Sequence, residues 1–311
     1  MVWNAKRLRP AELGPFDYEN ENYTRSLWFT EGFTDYYGPL LATRAGLHSR
    51  QEYLGNGSDQ NGSLSSVIAS LQKTPGRLVQ SAEEASYDAW IKLYRPDENS
   101  RNTSISYYTK GAVVGWLLDA RIRRATAGAR SLDNLMRLAL TRFGGERGFT
   151  PEEIKAAAEE VAGISLRDFF ERSLESTAEL DYVEALDWFG LRFRRPGGNT
   201  GKAWMGIETK NDAGRLVISR ILRETPALAA GLNVDDEIIA LDGFRVRADQ
   251  LSQRLENYHP GAQVSVHVAR REKLISIWMT LGEEPPKIGE LEICPDATVE
   301  QKAHLDAWLA G

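Results

Sequence analysis

The chain has a single cysteine, Cys294, in 311 residues. No internal disulfide can form, so the cysteine content carries no sign of an oxidising compartment. Cys294 also has no His or Cys neighbour in sequence that would mark it as a nucleophile. Histidine is scarce: His48, His259, His267 and His304 make up the set, and no two stand four residues apart. The i, i+4 pair of imidazoles that an H-E-x-x-H helix offers to zinc cannot be built from them. His259 precedes Pro260-Gly261 and reads as a turn residue, and His267 sits in an alternating strand. There is no long Lys/Arg run and the net charge is −6, which argues against a nucleic-acid footprint. No apolar run approaches the ~18 residues of a membrane span. The N-terminus shows no apolar signal core. Cytoplasm and periplasm both stay open, because a targeting region upstream would not be seen.

What is present is ordinary for a soluble globular protein, with 42% hydrophobic and 26% charged residues. The length suggests about two domains. The pattern changes near residue 185. Before it the signals are helical. Val113, Val114, Leu117, Leu118 and Ile122 make a helix stripe. Thr150-Pro151-Glu152-Glu153 is a helix start, with a Thr cap, Pro at the first helical position and Glu three after the cap; that helix stops at Gly163. Ser165 to Asp168 opens another, carrying Phe169, Phe170 and Leu174. Residues 55 to 66 are a polar loop. After 185, residues 203–209, 215–222 and 263–269 alternate like strands. A short capped helix follows Thr225-Pro226, and Leu305, Trp308 and Leu309 mark one face of a C-terminal helix.

Two blocks near the N-terminus carry chemistry. Trp28-Phe29-Thr30-Glu31-Gly32-Phe33 places a carboxylate among large apolar neighbours, where an unpaired charge is expensive. This block resembles the W-x-x-E-G-[FL] segment of gluzincin aminopeptidases. Trp3-Asn4-Ala5-Lys6-Arg7-Leu8-Arg9-Pro10 resembles the stretch that follows the metal motif in the bacterial glycyl aminopeptidase family with a PDZ domain. On that pattern Met1 falls where the second His belongs. The resemblance implies that Glu31 is the third zinc ligand of the complete enzyme. It also implies that Tyr108, in Tyr107-Tyr108-Thr109-Lys110-Gly111, donates to the oxyanion, with Tyr107 as the competing assignment. Both His ligands and the catalytic Glu are absent here, so zinc belongs to the full-length enzyme and none is expected in this chain. Lys6, Arg7 and Arg9 read first as a solvated basic patch.

The run Thr225 to Gly243 resembles a PDZ domain of the protease-associated type. The resemblance implies a carboxylate-binding turn at Met205, Gly206 and Ile207. Opposite it would lie a helix bearing Gln250, Leu251, Arg254 and Leu255, so that a peptide C-terminus adds as a strand between them.

The resulting expectation is an α+β multidomain chain. An α-helical gluzincin-like part spans 1–185, a PDZ-like β-barrel 186–285 and a short tail 286–311. The activity implied is a zinc aminopeptidase for small N-terminal residues such as Gly or Ala, here a fragment lacking its H-E-x-x-H helix and inactive alone. The alternatives are a non-catalytic PDZ peptide-binding module or an inert scaffold. Partners would be a peptide or protein substrate, with a second copy of the chain covering an open cleft if Phe29 or Trp3 is left bare. Glu31 and Tyr108 should face one cleft.

Overall fold

The computed structural model describes residues 4–55, 62–194, 201–286 and 289–310. It divides into two compact units: Met1–Arg95 with Thr103–Arg195 and Ile288–Gly311, and Pro96–Asn102 with Pro196–Lys287. The first unit thus runs past residue 185, takes back the C-terminal tail and gives up a short internal segment.

The first unit is built around the helix Tyr107–Ala125. Sequence predicts a stripe on it; instead nearly every residue from Lys110 to Arg123 is buried, because helices pack on all its sides. One of them, Gly32–Arg44, crosses it with backbones almost touching. A Cβ on Gly32 would lie 2.5 Å from Gly111 Cα, and a Cβ on Gly111 would lie 2.3 Å from the Trp28 carbonyl oxygen. Only glycine at both positions permits that approach. The helix Pro151–Ala162 forms as its start signal predicts, with the full Thr150/Glu153 capping box and Gly163 closing it in the left-handed region. The predicted polar loop ends early, since Ser63 caps a helix Leu64–Gln72, while residues 56–61 of that loop lie outside the described residues. The expected helix after Ser165 is one turn, Arg167–Phe170, running into a π-helical turn Glu171–Glu175.

The C-terminal helix Val299–Ala310 is pinned by Trp308. Its ring stacks on Phe189 at 4.3 Å, and its indole N–H donates to the Tyr36 hydroxyl at 2.8 Å. Tyr36 in turn donates to Asp119 at 2.8 Å. Just before the chain leaves for the second unit, Leu191–Phe193 pairs antiparallel with Leu291–Ile293, where it returns.

The second unit is an antiparallel sheet in the order Ile207–Asp212, Arg215–Ile221, Glu237–Leu241, Gln263–Arg270, Lys273–Thr280, with Phe244–Arg245 on Glu237–Leu241. Ala203–Trp204 pairs separately with Gly282–Glu283. Val264, Val266 and Val268 point into the core and alternate with Ser265, His267 and Ala269, the period of two of a half-buried strand. The expected barrel is not found. Among the described residues the two outer strands pair with no partner that would close the sheet. The helices Pro226–Ala230, capped by Thr225, and Leu251–Leu255 complete the unit.

Candidate active site and peptide groove

Glu31 lies between the short helix Leu27–Thr30 and Gly32–Arg44, at a turn that keeps helical dihedrals. Asn4 holds this turn. Its buried carboxamide donates to the Thr30 carbonyl at 2.8 Å and to the Thr34 hydroxyl at 3.1 Å. The Asn4 Oδ1 has no partner among the described residues. Half-buried, Glu31 is pushed above the usual carboxylate range by desolvation, with the like charge of Asp35 adding to the effect.

Tyr108 opens the helix Tyr107–Ala125, which Ser106 caps by accepting from the Thr109 amide. Because Gly32 touches Gly111, residue 31 and the first turn of that helix come together. The contact has a direct electrostatic consequence. Tyr108 is pushed up to about 12 by burial, by its hydrogen bond with Tyr94 and by the charge of Glu31. The Gly32–Gly111 contact thus brings together two segments, those of Glu31 and Tyr108, that are 77 positions apart in sequence. At neutral pH the phenol is a proton donor.

The structure also separates the two tyrosines that sequence leaves in competition. Tyr107 is 1% exposed, with its hydroxyl 3.0 Å from that of Tyr94. Tyr108 is half-exposed and stacks on the Tyr107 ring at 4.6 Å, its own hydroxyl 3.4 Å from Tyr94. Tyr94 is itself well exposed, and nothing in its Leu93-Tyr94-Arg95 surroundings marks it in the sequence.

Phe29 corrects one expectation. It is fully buried within the chain, packed against Phe33 and edge-on to Phe149, so it offers nothing bare for a second copy to cover. Trp3 lies outside the described residues. Arg7 and Arg9 belong to a segment zipped by backbone onto the loop before Pro151: Gly145 donates to the Arg7 carbonyl and Phe149 to the Arg9 carbonyl. The histidines are engaged elsewhere. His304 stacks on Trp188 at 3.6 Å, His267 meets Ser276, His259 meets the Pro260 carbonyl, and His48 is exposed. Among the described residues no three His, Cys, Asp or Glu side chains are grouped to hold a metal ion. The carboxylates of Glu31 and Asp35 with no imidazole do not fit a four-coordinate zinc ion.

In the second unit a groove of about 940 Å³ runs between Ile207–Asp212 and Leu251–Leu255. Met205, Gly206, Ile207, Leu251 and Leu255 line it, together with Trp204, Thr209 and Tyr258. Gln250 and Arg254 do not. They lie on the neighbouring face of that helix, about 100° round from Leu251 and Leu255, and the Arg254 guanidinium sits over the Phe244 ring at 4.8 Å. Gly206 has φ +83°, and a Cβ there would lie 2.2 Å from that of Thr225. The turn is held by its carbonyls: Met205 accepts from Ala227 at 2.9 Å and Gly206 from Leu222 at 3.0 Å.

Residues 2–114 match the sequence profile of the M61 glycyl aminopeptidase family, and residues 203–281 match that of the PDZ domain. A crystal structure of an aminopeptidase N family protein from Idiomarina loihiensis superposes on 99% of the chain with a TM-score of 0.86 at 28% identity. The chain spans 52% of that protein's length. A serine endoprotease from Yersinia pestis matches 29% of the chain and 32% of its own length at 20% identity, with a TM-score of 0.25. No curated protein matches the chain.

Proposed function

We propose that this relative of the M61 glycyl aminopeptidases carries one part of a zinc-dependent aminopeptidase site. Glu31 is its carboxylate ligand and Tyr108 its oxyanion donor. The observation that carries this reading is the Gly32–Gly111 contact, which brings a half-buried carboxylate and a protonated phenol together from distant stretches of chain. A donor already aimed where charge develops on a peptide carbonyl needs no reorganisation during the reaction. Tyr108 meets the chemical requirement because it stays neutral far above physiological pH. The residues present do not hold zinc by themselves, so no step is assigned to a metal in this chain. An H-E-x-x-H helix completes such a site, and without one the chain is expected to bind no zinc tightly and to be inactive. By family likeness the preferred N-terminal residue is small, Gly or Ala.

Hydrolysis of glycyl and alanyl p-nitroanilides tests the reading. The 311-residue chain should be inactive, and a longer polypeptide with an H-E-x-x-H helix ahead of Trp3 should be active. In the longer form Tyr108→Phe should lose about 10²–10³-fold in kcat. Full activity of that variant, or about one zinc per 311-residue chain after dialysis, overturns the proposal.

The second unit supports a further reading: its groove accepts a peptide C-terminus by strand addition to Ile207–Asp212. The supporting observation is the Met205–Ile207 turn, whose carbonyls are tied back and whose residues line the groove.

A further inference from the structure

The segment Pro96–Asn102 belongs to the second unit, although the chain on either side belongs to the first. In sequence it lies between Tyr94 and Tyr108. Asn102, 8% exposed, ties it down. Its Nδ2 donates to the Ile221 carbonyl at 2.7 Å, and its Oδ1 accepts from the Arg223 amide at 2.9 Å. One side-chain amide thus makes both bonds that a residue of a neighbouring strand would make at the Ile221 end of Arg215–Ile221, on the side turned away from Ile207–Asp212. Arg101 adds an ion pair with Glu208, which also pairs with Arg220.

These bonds continue into the groove. The Leu222 amide donates to the Gly206 carbonyl at 3.0 Å, and Ile207 stands opposite Ile221 in the antiparallel register. Bonded and non-bonded pairs alternate along such a ladder. The Ile207–Ile221 pair is the non-bonded one, so the Ile207 N–H faces the groove and the Ile221 carbonyl faces Asn102. Ile207 N–H and Gly206 C=O are two ends of one peptide group; Leu222 N–H and Ile221 C=O are two ends of the next. A carboxylate accepting from Ile207 N–H would stand at the head of a single file of amides that runs to the Asn102 side chain. Hydrogen bonds in such a file polarise and strengthen one another.

We propose that Asn102 couples occupancy of the peptide groove to the chain that enters the Tyr107–Ala125 helix. This rests on the groove being a C-terminal carboxylate site. A bound carboxylate strengthens the file, Asn102 holds the 96–102 segment more tightly, and residues 103–108, which carry Tyr108, lose freedom. Ile105 reports on this directly, since its amide donates to Gln80 Oε1 at 3.0 Å within the first unit.

Amide hydrogen exchange on the full chain tests the coupling. The probe is a short labelled peptide ending in valine with a free α-carboxylate, with the same peptide as its C-terminal amide for control; anisotropy follows binding independently. The carboxylate form should bind and slow exchange across 103–108 by about fivefold, the lower end of usual coupling. The amide form should do neither. Asn102→Ala and Asn102→Asp should both bind the peptide and show no change at 103–108. The Asp variant keeps an acceptor for Arg223 but cannot donate to Ile221, and its equal size guards against misfolding of the Ala variant. Binding without any change at 103–108 in the unsubstituted chain overturns the coupling, as does a change that persists in both variants. Failure of the peptide to bind overturns the groove reading itself, and the anisotropy alone reveals it.

Discussion

Lys110 should make the protein less stable at neutral pH than an uncharged side chain in its place. It lies in the Tyr107–Ala125 helix and is 1% exposed, with one hydrogen bond of 3.5 Å to the Ser176 carbonyl. Burial drives its amine from an ordinary 10.5 down to about 8, while the charges of Glu179 and Glu84 pull the other way. The unfolded chain binds the proton more tightly than the folded one. The penalty is therefore fully present below about 8 and is relieved as pH rises from there towards 10.5. The interval corresponds to roughly 3 kcal/mol as a ceiling. Lys110→Met keeps the length of the stem and removes the charge, so it should stabilise the first unit by about 1–3 kcal/mol near neutral pH. The gain should shrink towards zero near pH ~10. Denaturant unfolding followed by tryptophan fluorescence at both pH values measures it. A Met variant that is less stable by the same amount at both would refute the reasoning, because it would mean that the amine makes a net favourable contact at every protonation state.

Gly111→Ala gains up to about 1 kcal/mol of helix propensity, yet its Cβ must enter space 2.3 Å from the Trp28 carbonyl and 2.9 Å from Gly32 Cα. A net loss of about 1–3 kcal/mol in the unfolding free energy is expected, and a stabilised variant would contradict the close helix crossing. Gly206→Ala, at φ +83° and against Thr225, should abolish peptide binding by anisotropy while leaving the thermal transition of the first unit in place. Trp308→Ala should cost about 3–5 kcal/mol and release the C-terminal helix to proteolysis; a loss under about 1 kcal/mol would show that the tail is not part of the first core.

Local chemistry was legible without a structure. Thr150, Pro151, Glu153 and Gly163 mark a helix from its own backbone needs, and the alternation of Val264, Val266 and Val268 marks a half-buried strand, because caps and periodicity act within a few residues. The Glu31 and Tyr108 segments were each visible as short motifs for the same reason. Their meeting was expected from the family resemblance alone, and no local signal showed how the chain achieves it. It depends on Gly32 and Gly111 removing two side chains from one helix crossing, and neither glycine announces its partner. Tyr107 is buried where Tyr108 is half-exposed, and Leu251 and Leu255 line the groove where Gln250 and Arg254 do not; neither difference shows in the sequence. An open sheet and a closed barrel share the same alternation, since closure concerns only what pairs with the outermost strands. Asn102 sits in a polar stretch that reads as loop, and its place beside Ile221, more than a hundred residues away, exists only once the strand is laid down. Sequence thus determined those features whose energetics close within one or two turns of chain. Tertiary structure decided those whose partners are supplied by another element, because a glycine, a hydroxyl or a carboxamide carries no record in its own neighbourhood of the group it will meet.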